Sequence, residues 1–284
     1  MKANGEKESF ALEKLEHSLI RAGASGAIMA EITKRIIHEL EEGMTTHEIY
    51  THAFKMLHEF EKPVAIRYSL RKALVDLGPT GFPFERFIAE IFKFKGYETR
   101  TDQMVKGFCV EHEVDVVAWK PDGLIMSEVK FHNQTGLKSD LKIVLYVKAR
   151  FEDLEKVSFN LGGKEMPFGE GWLITNTKFT ISAVKYAECQ NMKIVGWNYP
   201  LKGNLQDLVE EAKLHPITCL QSLSDHDKHA LLQQNVILCS SIKENPALLK
   251  AINLAEANIE AVLEEISHIY PIESAIYAGA PSSL

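Results

Sequence analysis

The sequence predicts an α+β protein in three parts, and three observations support this. Before residue 80 and again after residue 200, apolar residues recur at every third or fourth position, which is typical of amphipathic helices. Between these regions, β-rich runs and helical segments follow in the order αβββαβαβ, which predicts a mixed sheet flanked by helices. The Gly/Pro-rich segment LGPTGFPF separates the first two parts. We therefore expect a helical domain at 1–80, a mixed-sheet core at 81–200 and a helical extension at 201–284.

The N-terminal part is expected to contain four helices. The first ends at Gly23 and the second at Gly43, because glycine commonly lies just past the C terminus of a helix. Thr45 or Thr46 is expected to cap the third helix, since a threonine side chain accepts hydrogen bonds from the first free amides. The fourth helix covers roughly residues 63–77, so this part should be a small bundle.

The central part begins with a helix over ERFIAEIFKFKG, whose apolar residues lie on one face. The remaining elements follow from β-rich runs and helical periodicity. They are strands at 98–105, 114–119 and 124–131, a helix at 141–155, a loop containing Gly162-Gly163, a strand at 171–176, a helix around 180–190 and a strand at 193–198.

The helical extension carries most of the acidic excess of the chain. The formal net charge is −7, and residues 201–284 hold 5 basic and 11 acidic side chains, whereas residues 81–200 hold 16 of each. The amphipathic segments at 215–242 and 245–266 therefore favour a packing or oligomerisation role over phosphate binding. Because the core is charge-balanced, the net charge does not exclude nucleic acid as its partner.

Several classes of protein are not expected. The sequence contains no run of 18 apolar residues, and its start, MKANGEKESF, is polar, so we predict neither a membrane span nor a secretory signal. The cysteines Cys109, Cys189, Cys219 and Cys239 are widely spaced and form no CxxC pair, which argues against a disulfide framework. We expect a cytoplasmic protein.

The most informative stretch is a predicted hairpin whose turn is Lys120-Pro121-Asp122-Gly123. Partner residue numbers in this hairpin sum to 243, so Asp115 should lie opposite Glu128, and Glu113 opposite Lys130. Opposed carboxylates repel unless a proton or a cation lies between them. Oxygen ligands suit Mg²⁺ or Mn²⁺, and a neighbouring lysine can orient a water molecule. The alternative is a solvated strand face with a Glu113–Lys130 pair and no metal.

This hairpin resembles the catalytic core of the PD-(D/E)xK nucleases, and most closely that of the Mrr-type restriction endonucleases. The resemblance lies in Asp115, twelve intervening residues, and then Glu128-Val129-Lys130. The preceding helix, in PFERFIAEIFKFKGYE, and the later GWLITNTKFTISAVKYAECQNMKIVGWN extend the match over roughly residues 82–200. The strand that bears Asp115 lacks the proline that gives the superfamily its name.

The resemblance implies a Mg²⁺- or Mn²⁺-dependent endonuclease that hydrolyses DNA phosphodiester bonds and acts as a homodimer. It implies that Asp115 and Glu128 are metal ligands, with the Val129 carbonyl as a third ligand. Lys130 would position or activate the attacking water. The remaining acids have less direct roles: Glu85 would be a supplementary ligand, and Glu113 would contact the metal or tune the pKa of Lys130.

Two histidines flank the hairpin, and each has two possible roles. His112 and His132 would contact phosphate, or they are ordinary surface or core residues. Together with Cys109 they suggest a zinc site, but no fourth ligand lies at a normal spacing, so the nuclease interpretation is favoured.

Further polar residues follow the hairpin in the sequence. Lys138, Lys142 and Lys148 would line one side of a groove and contact a nucleic-acid backbone, or they form a solvated helix face. Thr175-Asn176-Thr177 would bind phosphate oxygens or cap the following helix.

The N-terminal bundle resembles an ATP-cone, the nucleotide-sensing module of ribonucleotide reductases and of a transcriptional repressor of their genes. The resemblance lies in Lys2-Ala3-Asn4-Gly5, in GMTTHEIY and in AIRYSLRKAL. It implies regulation by ATP or dATP, although Ala3 stands where the family has arginine, and the first valine of the family pattern is absent. The alternative is a bundle that serves dimerisation or docking without nucleotide. The implied nucleotide-binding residues are Asn4, Gly5, Glu8, Lys14 and Thr46.

Two other functions stay open at this point. One is a nucleotide-responsive DNA-binding or regulatory protein whose nuclease core is not catalytic. The other is a nuclease that acts on RNA or on branched DNA, because the residues themselves do not distinguish these substrates.

Overall fold

The structure, a computed structural model, describes residues 9–134, 136–161 and 163–270. Within these ranges the protein is α+β, as predicted, with twelve α-helices and one five-stranded mixed sheet. In the same ranges, none of the helices combines the length and apolarity needed to cross a bilayer.

The four predicted N-terminal helices are present as α1 Leu12–Arg21, α2 Gly26–Glu39, α3 Thr46–Phe60 and α4 Lys62–Val75. Thr45 is the residue that caps α3: its hydroxyl accepts the Glu48 amide at 3.1 Å. The Glu48 carboxylate in turn accepts the Thr45 amide at 2.6 Å, which completes a capping box. Thr46 is therefore the first residue of the helix and not its cap.

The predicted order of elements in the core is confirmed, with additions. A short hairpin occurs where a loop was expected, because Leu161 pairs with Lys164 and Gly163 adopts a φ of +81°, which suits a tight turn. The core elements are α5 Phe82–Phe94, β1 Glu98–Lys106, β2 Glu111–Lys120, β3 Gly123–Lys130, β4 Lys138–Ser139, α6 Leu141–Leu154, β5 Ser158–Leu161, β6 Lys164–Pro167, β7 Glu170–Thr175, β8 Lys178–Phe179, α7 Ile181–Cys189 and β9 Lys193–Val195.

The main sheet has the strand order β1-β2-β3-β7-β9. Strands β1, β2 and β3 are antiparallel neighbours, whereas β3, β7 and β9 run parallel, with α6 and α7 in the crossovers. Both faces are buried: Phe84 and Phe87 of α5 pack against one face, and Val144 of α6 and Ala183 of α7 pack against the other. Because β3 and β7 are parallel neighbours, their carboxyl ends lie at the same edge of the sheet.

The C-terminal extension is helical, as predicted, and packs on the rest of the chain. Its apolar cluster includes Ile66 and Ala73 of α4, and the Thr218 hydroxyl donates to the Ala73 carbonyl at 2.6 Å. These contacts agree with a packing role, while the domain boundaries after residues 80 and 200 stay predictions. The elements are α8 Leu205–Glu211, a 3₁₀ turn at Ile217–Cys219, α9 Asp225–Gln233, α10 Cys239–Glu244, α11 Ala247–Ala251 and α12 Glu256–Ile269.

Candidate active site

The hairpin of β2 and β3 has the predicted register. Its ladder runs from Lys120–Gly123 to Val116–Ser127, and every pair sums to 243. Beyond Val116–Ser127 the ladder stops, although both strands continue.

The carboxylate of Asp115 lies where the two strands separate. Its Oδ2 atom accepts a hydrogen bond from the Val129 amide at 2.6 Å. In a continuous ladder, a main-chain carbonyl of the neighbouring strand would accept this bond instead. Glu113 pairs with Met104 of β1, and none of the ion pairs in the described ranges joins Glu113 to Lys130. The expected Glu113–Lys130 pair is therefore wrong, because the strands have already diverged at that position.

One cavity of about 580 Å³ brings most of the predicted site residues together. Glu85 comes from α5, Asp115 from β2, and Glu128, Val129 and Lys130 from β3. An adjoining cavity of about 230 Å³ is lined by Glu113, Glu111, His112, Tyr146 and Arg150, and it shares Asp115 and Glu128 with the first. The two acids predicted as main metal ligands thus border both cavities, whereas Glu113 borders only the smaller one.

Burial, together with neighbouring carboxylates, raises the pKa values of two carboxyl groups in this region. Burial raises the pKa of Glu85 to about 8, helped by the charge of Asp115 and a hydrogen bond with Asp102. Burial also raises the pKa of Asp115 to about 7; the charge of Glu128 adds to this, and the Val129 amide opposes it. The ionised site therefore carries unfavourable negative charge, which a proton or a bound cation would relieve.

Asp102 is a site residue that the sequence analysis missed. In the ladder of β1 and β2, Thr101 pairs with Val116 and Gln103 with Val114, so Asp102 lies opposite Asp115. Its φ of +53° is in the left-handed region, which aspartate adopts more readily than most residues. An aspartate inside a strand-like run is unusual, and that was the signal available in the sequence.

Arg150 is the second residue that was missed. It lies on α6, is only 7% exposed, and donates a hydrogen bond from its guanidinium to Oε2 of Glu128. Its guanidinium carbon also lies 5.2 Å from the centre of the Tyr146 ring. The sequence signal was its spacing from Val144 and Val147, which places a cation on the buried face of the helix.

His112 has a structural partner. Its Nε2 lies 2.8 Å from Oδ2 of Asp153, whose carboxylate also accepts the amides of Cys109 and Val110. Gly107 is required beside this carboxylate, because a Cβ there would lie 2.2 Å from the Asp153 oxygen. These bonds hold the connection between β1 and β2 in place.

His132 lines the larger cavity and binds its neighbours on the strand edge. Its Nε2 lies 3.1 Å from the Ser139 hydroxyl, and burial together with the charge of Lys130 lowers its pKa. Within the described ranges no group of three or more His, Cys, Asp or Glu side chains is arranged to hold a metal ion. The zinc site of Cys109, His112 and His132 stays the disfavoured alternative.

The segment Thr175-Asn176-Thr177 has neither of its two expected roles. All three residues are buried, and the Asn176 side chain binds both the amide and the carbonyl of His132, at 2.9 and 2.7 Å. The cap of α7 is Thr180, whose hydroxyl accepts the Ala183 amide. Burial, which the local sequence does not reveal, decides this outcome.

The three predicted groove lysines differ in their surroundings. Lys148 is partly buried on α6 and forms an ion pair with Glu152 at 3.3 Å. Lys142 is exposed on the same helix, and Lys138 is exposed on β4. Lys138 and Lys142 are therefore both accessible to a ligand, whereas Lys148 is engaged with Glu152.

The structure describes only two of the five predicted nucleotide-binding residues. Asn4, Gly5 and Glu8 lie outside the described residues. Lys14 lies on α1 and Thr46 begins α3. The ATP-cone resemblance stays a prediction.

The donor set suits a hard divalent cation. Asp115 and Glu128 supply carboxylate oxygens at one wall of the larger cavity, and Glu85 supplies another. Mg²⁺ commonly keeps several waters and uses only one or two protein carboxylates, so a three-carboxylate cage is not required. Burial and the neighbouring carboxylates raise the pKa values of Glu85 and Asp115, and a bound cation would offset both effects by stabilising the ionised carboxylates.

Three comparisons relate the chain to known proteins. The family model described as AF1548-like, C-terminal, matches residues 215–270. An uncharacterized protein of Archaeoglobus fulgidus is 34% identical over 186 residues, which cover 64% of this chain and 99% of that protein. The crystal structure of a protein of unknown function, AF1548, is 33% identical, with a TM-score of 0.54 over 67% of this chain and 98% of that one. The MspJI restriction endonuclease in complex with a 27-mer oligonucleotide has a TM-score of 0.27 at 15% identity, over 59% of this chain and 36% of that one, which does not establish a shared fold.

Proposed function

The chain belongs to the AF1548-like family, and we propose that it is a divalent-metal-dependent nuclease that hydrolyses DNA phosphodiester bonds. The observation that carries this proposal is the cavity where Asp115 and Glu128 meet Lys130. Two carboxylates with a lysine at the point where two strands diverge form a suitable set for binding a cation and orienting water beside a phosphate.

We propose Asp115 and Glu128 as the residues that hold Mg²⁺ or Mn²⁺, with Glu85 as a supplementary ligand. The bond from the Val129 amide fixes the Asp115 carboxylate at the strand divergence. When bound, the cation would supply charge stabilisation for the phosphate and would lower the pKa of a nearby water. The Val129 carbonyl as a further ligand stays a proposal.

Lys130 is proposed to orient the attacking water and to stabilise the charge that develops on the phosphate. It is exposed at the end of β3 and lines the same cavity as the three carboxyl groups. Hydrolysis forms a bond from a water oxygen to phosphorus and breaks the bond to one sugar oxygen, so the water must lose a proton. A lysine at the cavity wall is suited to position that water, whose proton passes to the surrounding carboxylates or to solvent, while the departing sugar oxygen takes up a proton from solvent.

Arg150 acts in this scheme through Glu128 and is a positioning residue. Its guanidinium holds one carboxylate oxygen of Glu128, which leaves the other oxygen for the cavity. Because the pair is largely buried, Arg150 also offsets part of the negative charge that Glu128 shares with Asp115.

The same ion pair favours a second candidate function. If Arg150 is the permanent counterion of Glu128, the core binds nucleic acid without cutting it and the protein is regulatory.

Plasmid cleavage distinguishes the two candidates. We expect the purified protein to nick or linearise supercoiled DNA with Mg²⁺ or Mn²⁺ and to leave it intact in EDTA. Lys130→Gln should cut about 10²-fold more slowly, because it loses a charged group that acts on the transition state, while its DNA binding in Ca²⁺ is kept. RNA and branched DNA are assayed in parallel, and ATP is added in one arm to test regulation. Binding without cleavage of any of these substrates would leave the regulatory function as the better account.

Metal binding is expected to weaken as the pH falls. Asp115 must be ionised to bind a cation, and its pKa is about 7, so protons compete with the metal below that pH. We expect Mn²⁺ affinity, measured by calorimetry, to rise about tenfold from about pH 6 to about pH 8 from Asp115 alone. Glu85→Gln serves as the comparison: it should remove only the further rise that comes from the Glu85 carboxyl. A pH-independent affinity in the wild type would argue against Asp115 as a ligand.

A further inference from the structure

Two lysines face each other in the short ladder of β4 and β8. Lys138 is the register partner of Lys178, and Ser139 is the partner of Phe179. Like charges directly opposite each other destabilise a strand pair. Neither lysine has a carboxylate at ion-pair distance within the described ranges, so this pairing lacks an internal counterion there.

The helical bundle adds two more cations to this place. The charges of Arg71 on α4 and of Lys14 on α1 act on Lys178 together with that of Lys138. With partial burial as the largest cause, these charges lower the pKa of Lys178. Positively charged side chains of α1, α4 and β4 therefore act on Lys178 of β8, although these residues are far apart in the sequence; Lys14 and Arg71 have other partners as well.

This basic cluster, defined by Lys14, Arg71, Lys138 and Lys178, lies beside the catalytic cavity. Strand β4 follows β3 and strand β8 follows β7, so both leave the sheet at the edge where β3 and β7 end. One hydrogen bond links the two places: His132, which lines the cavity, lies 3.1 Å from the hydroxyl of Ser139, the chain neighbour of Lys138.

We propose that Lys138 and Lys178 bind the phosphodiester backbone of nucleic acid as it leaves the cavity towards the helical bundle. This inference rests on the proposed nuclease function, because the cavity supplies the point where the backbone enters. The phosphates of a nucleic-acid strand are spaced along its backbone, which suits a basic cluster that lies beside the cavity and involves two parts of the protein. They would also supply the negative charge that the ladder of Lys138 and Lys178 lacks. The N-terminal helices then form one wall of the substrate path.

The test is the salt dependence of DNA binding, measured by fluorescence anisotropy in Ca²⁺ without cleavage. The variants are Lys138→Gln, Lys178→Gln and the double substitution. The matched control is Lys193→Gln, an exposed lysine at the start of β9, at the opposite edge of the sheet. Each phosphate contact contributes about 0.9 to the slope of log K against log salt. We expect the double variant to lose about 2 from the slope and about tenfold or more in affinity at low salt, and the control to match the wild type.

The outcomes separate this inference from the nuclease function. A double variant with the slope and affinity of the wild type would overturn the backbone site, whatever the wild type cuts. Loss of binding to ATP, used as a probe, with DNA binding unchanged would also overturn it and would identify a nucleotide site. A wild type that binds DNA through these lysines but cuts nothing would leave the inference standing and refute the nuclease proposal. Melting temperatures no lower than that of the wild type would confirm that the Lys→Gln substitutions leave the fold intact.

Discussion

Asp115→Asn is expected to lower DNA cleavage by about 10³-fold, the loss that corresponds to removing about 4 kcal/mol of transition-state stabilisation. The asparagine oxygen can still accept the Val129 amide, so the strand divergence should persist. What is lost is the negative charge that would hold the cation. Cleavage of plasmid DNA under saturating Mg²⁺ is the measurement.

The same variant should be more stable than the wild type at alkaline pH. The pKa of Asp115 is about 7 in the folded protein, above its ordinary value of 3.8, so folding favours the protonated form. The resulting stability is fully present below about pH 4 and is lost as the pH rises through 7. Asparagine cannot ionise, so it avoids this loss. Above pH 7 we expect a gain on the order of 1–3 kcal/mol, a rise of several degrees in melting temperature.

Two results would contradict this expectation. Cleavage at the wild-type rate would remove Asp115 from the catalytic site. If Asp115→Asn lowered the stability equally at pH 5 and pH 8, the Asp115 carboxylate would be a structural hydrogen-bond acceptor and its ionisation would not destabilise the fold.

Arg150→Met is expected to have the largest effect on stability, about 3 kcal/mol or more in the free energy of unfolding. The substitution removes the cation but leaves Glu128 largely buried beside Asp115. An unpaired buried carboxylate costs more than the pair itself contributes. Denaturant unfolding curves at neutral pH are the measurement.

Three comparisons make this prediction specific. Lys148→Met breaks an i,i+4 ion pair with Glu152 on the same helix and should cost below about 1 kcal/mol. The double variant Arg150→Met/Glu128→Gln should recover most of the lost stability, because the buried charge is then gone. Added Mn²⁺ should also restore part of the stability of Arg150→Met if Glu128 is a metal ligand. If Arg150→Met lowered the free energy of unfolding no more than Lys148→Met does, the buried Arg150–Glu128 pair would be no more important for stability than a surface ion pair.

The hairpin was predictable because its determinants are local. The turn at residues 120–123 sets the register, and the register then places every residue from Val116 to Ser127. The alternation of apolar residues likewise indicated the strands and helices of the core. The ladder ends there; one residue further, the Asp115 side chain accepts the Val129 amide and the strands separate, so the expected pairing of Glu113 with Lys130 does not form.

The supporting residues were not predictable in the same way. Asp102 and Arg150 reach the site from β1 and α6, and only packing brings these elements against β2 and β3. Burial had a similar role at Asn176, which the sequence analysis assigned to phosphate binding or to capping of the following helix. In the structure its side chain binds the His132 main chain.

By itself, the sequence determined the α+β class, the order of the core elements and the hairpin with Asp115, Glu128 and Lys130. Each of these depends on residues close together in the chain, where turn chemistry and hydrophobic periodicity act. Only the tertiary structure decided that Glu128 is paired with Arg150, that Asp102 lies opposite Asp115, and that Lys178 lies near cations of the helical bundle. These contacts join residues that are far apart in the sequence. The net charge of the site depends on every charged residue that folding brings near it, so the local sequence does not reveal it.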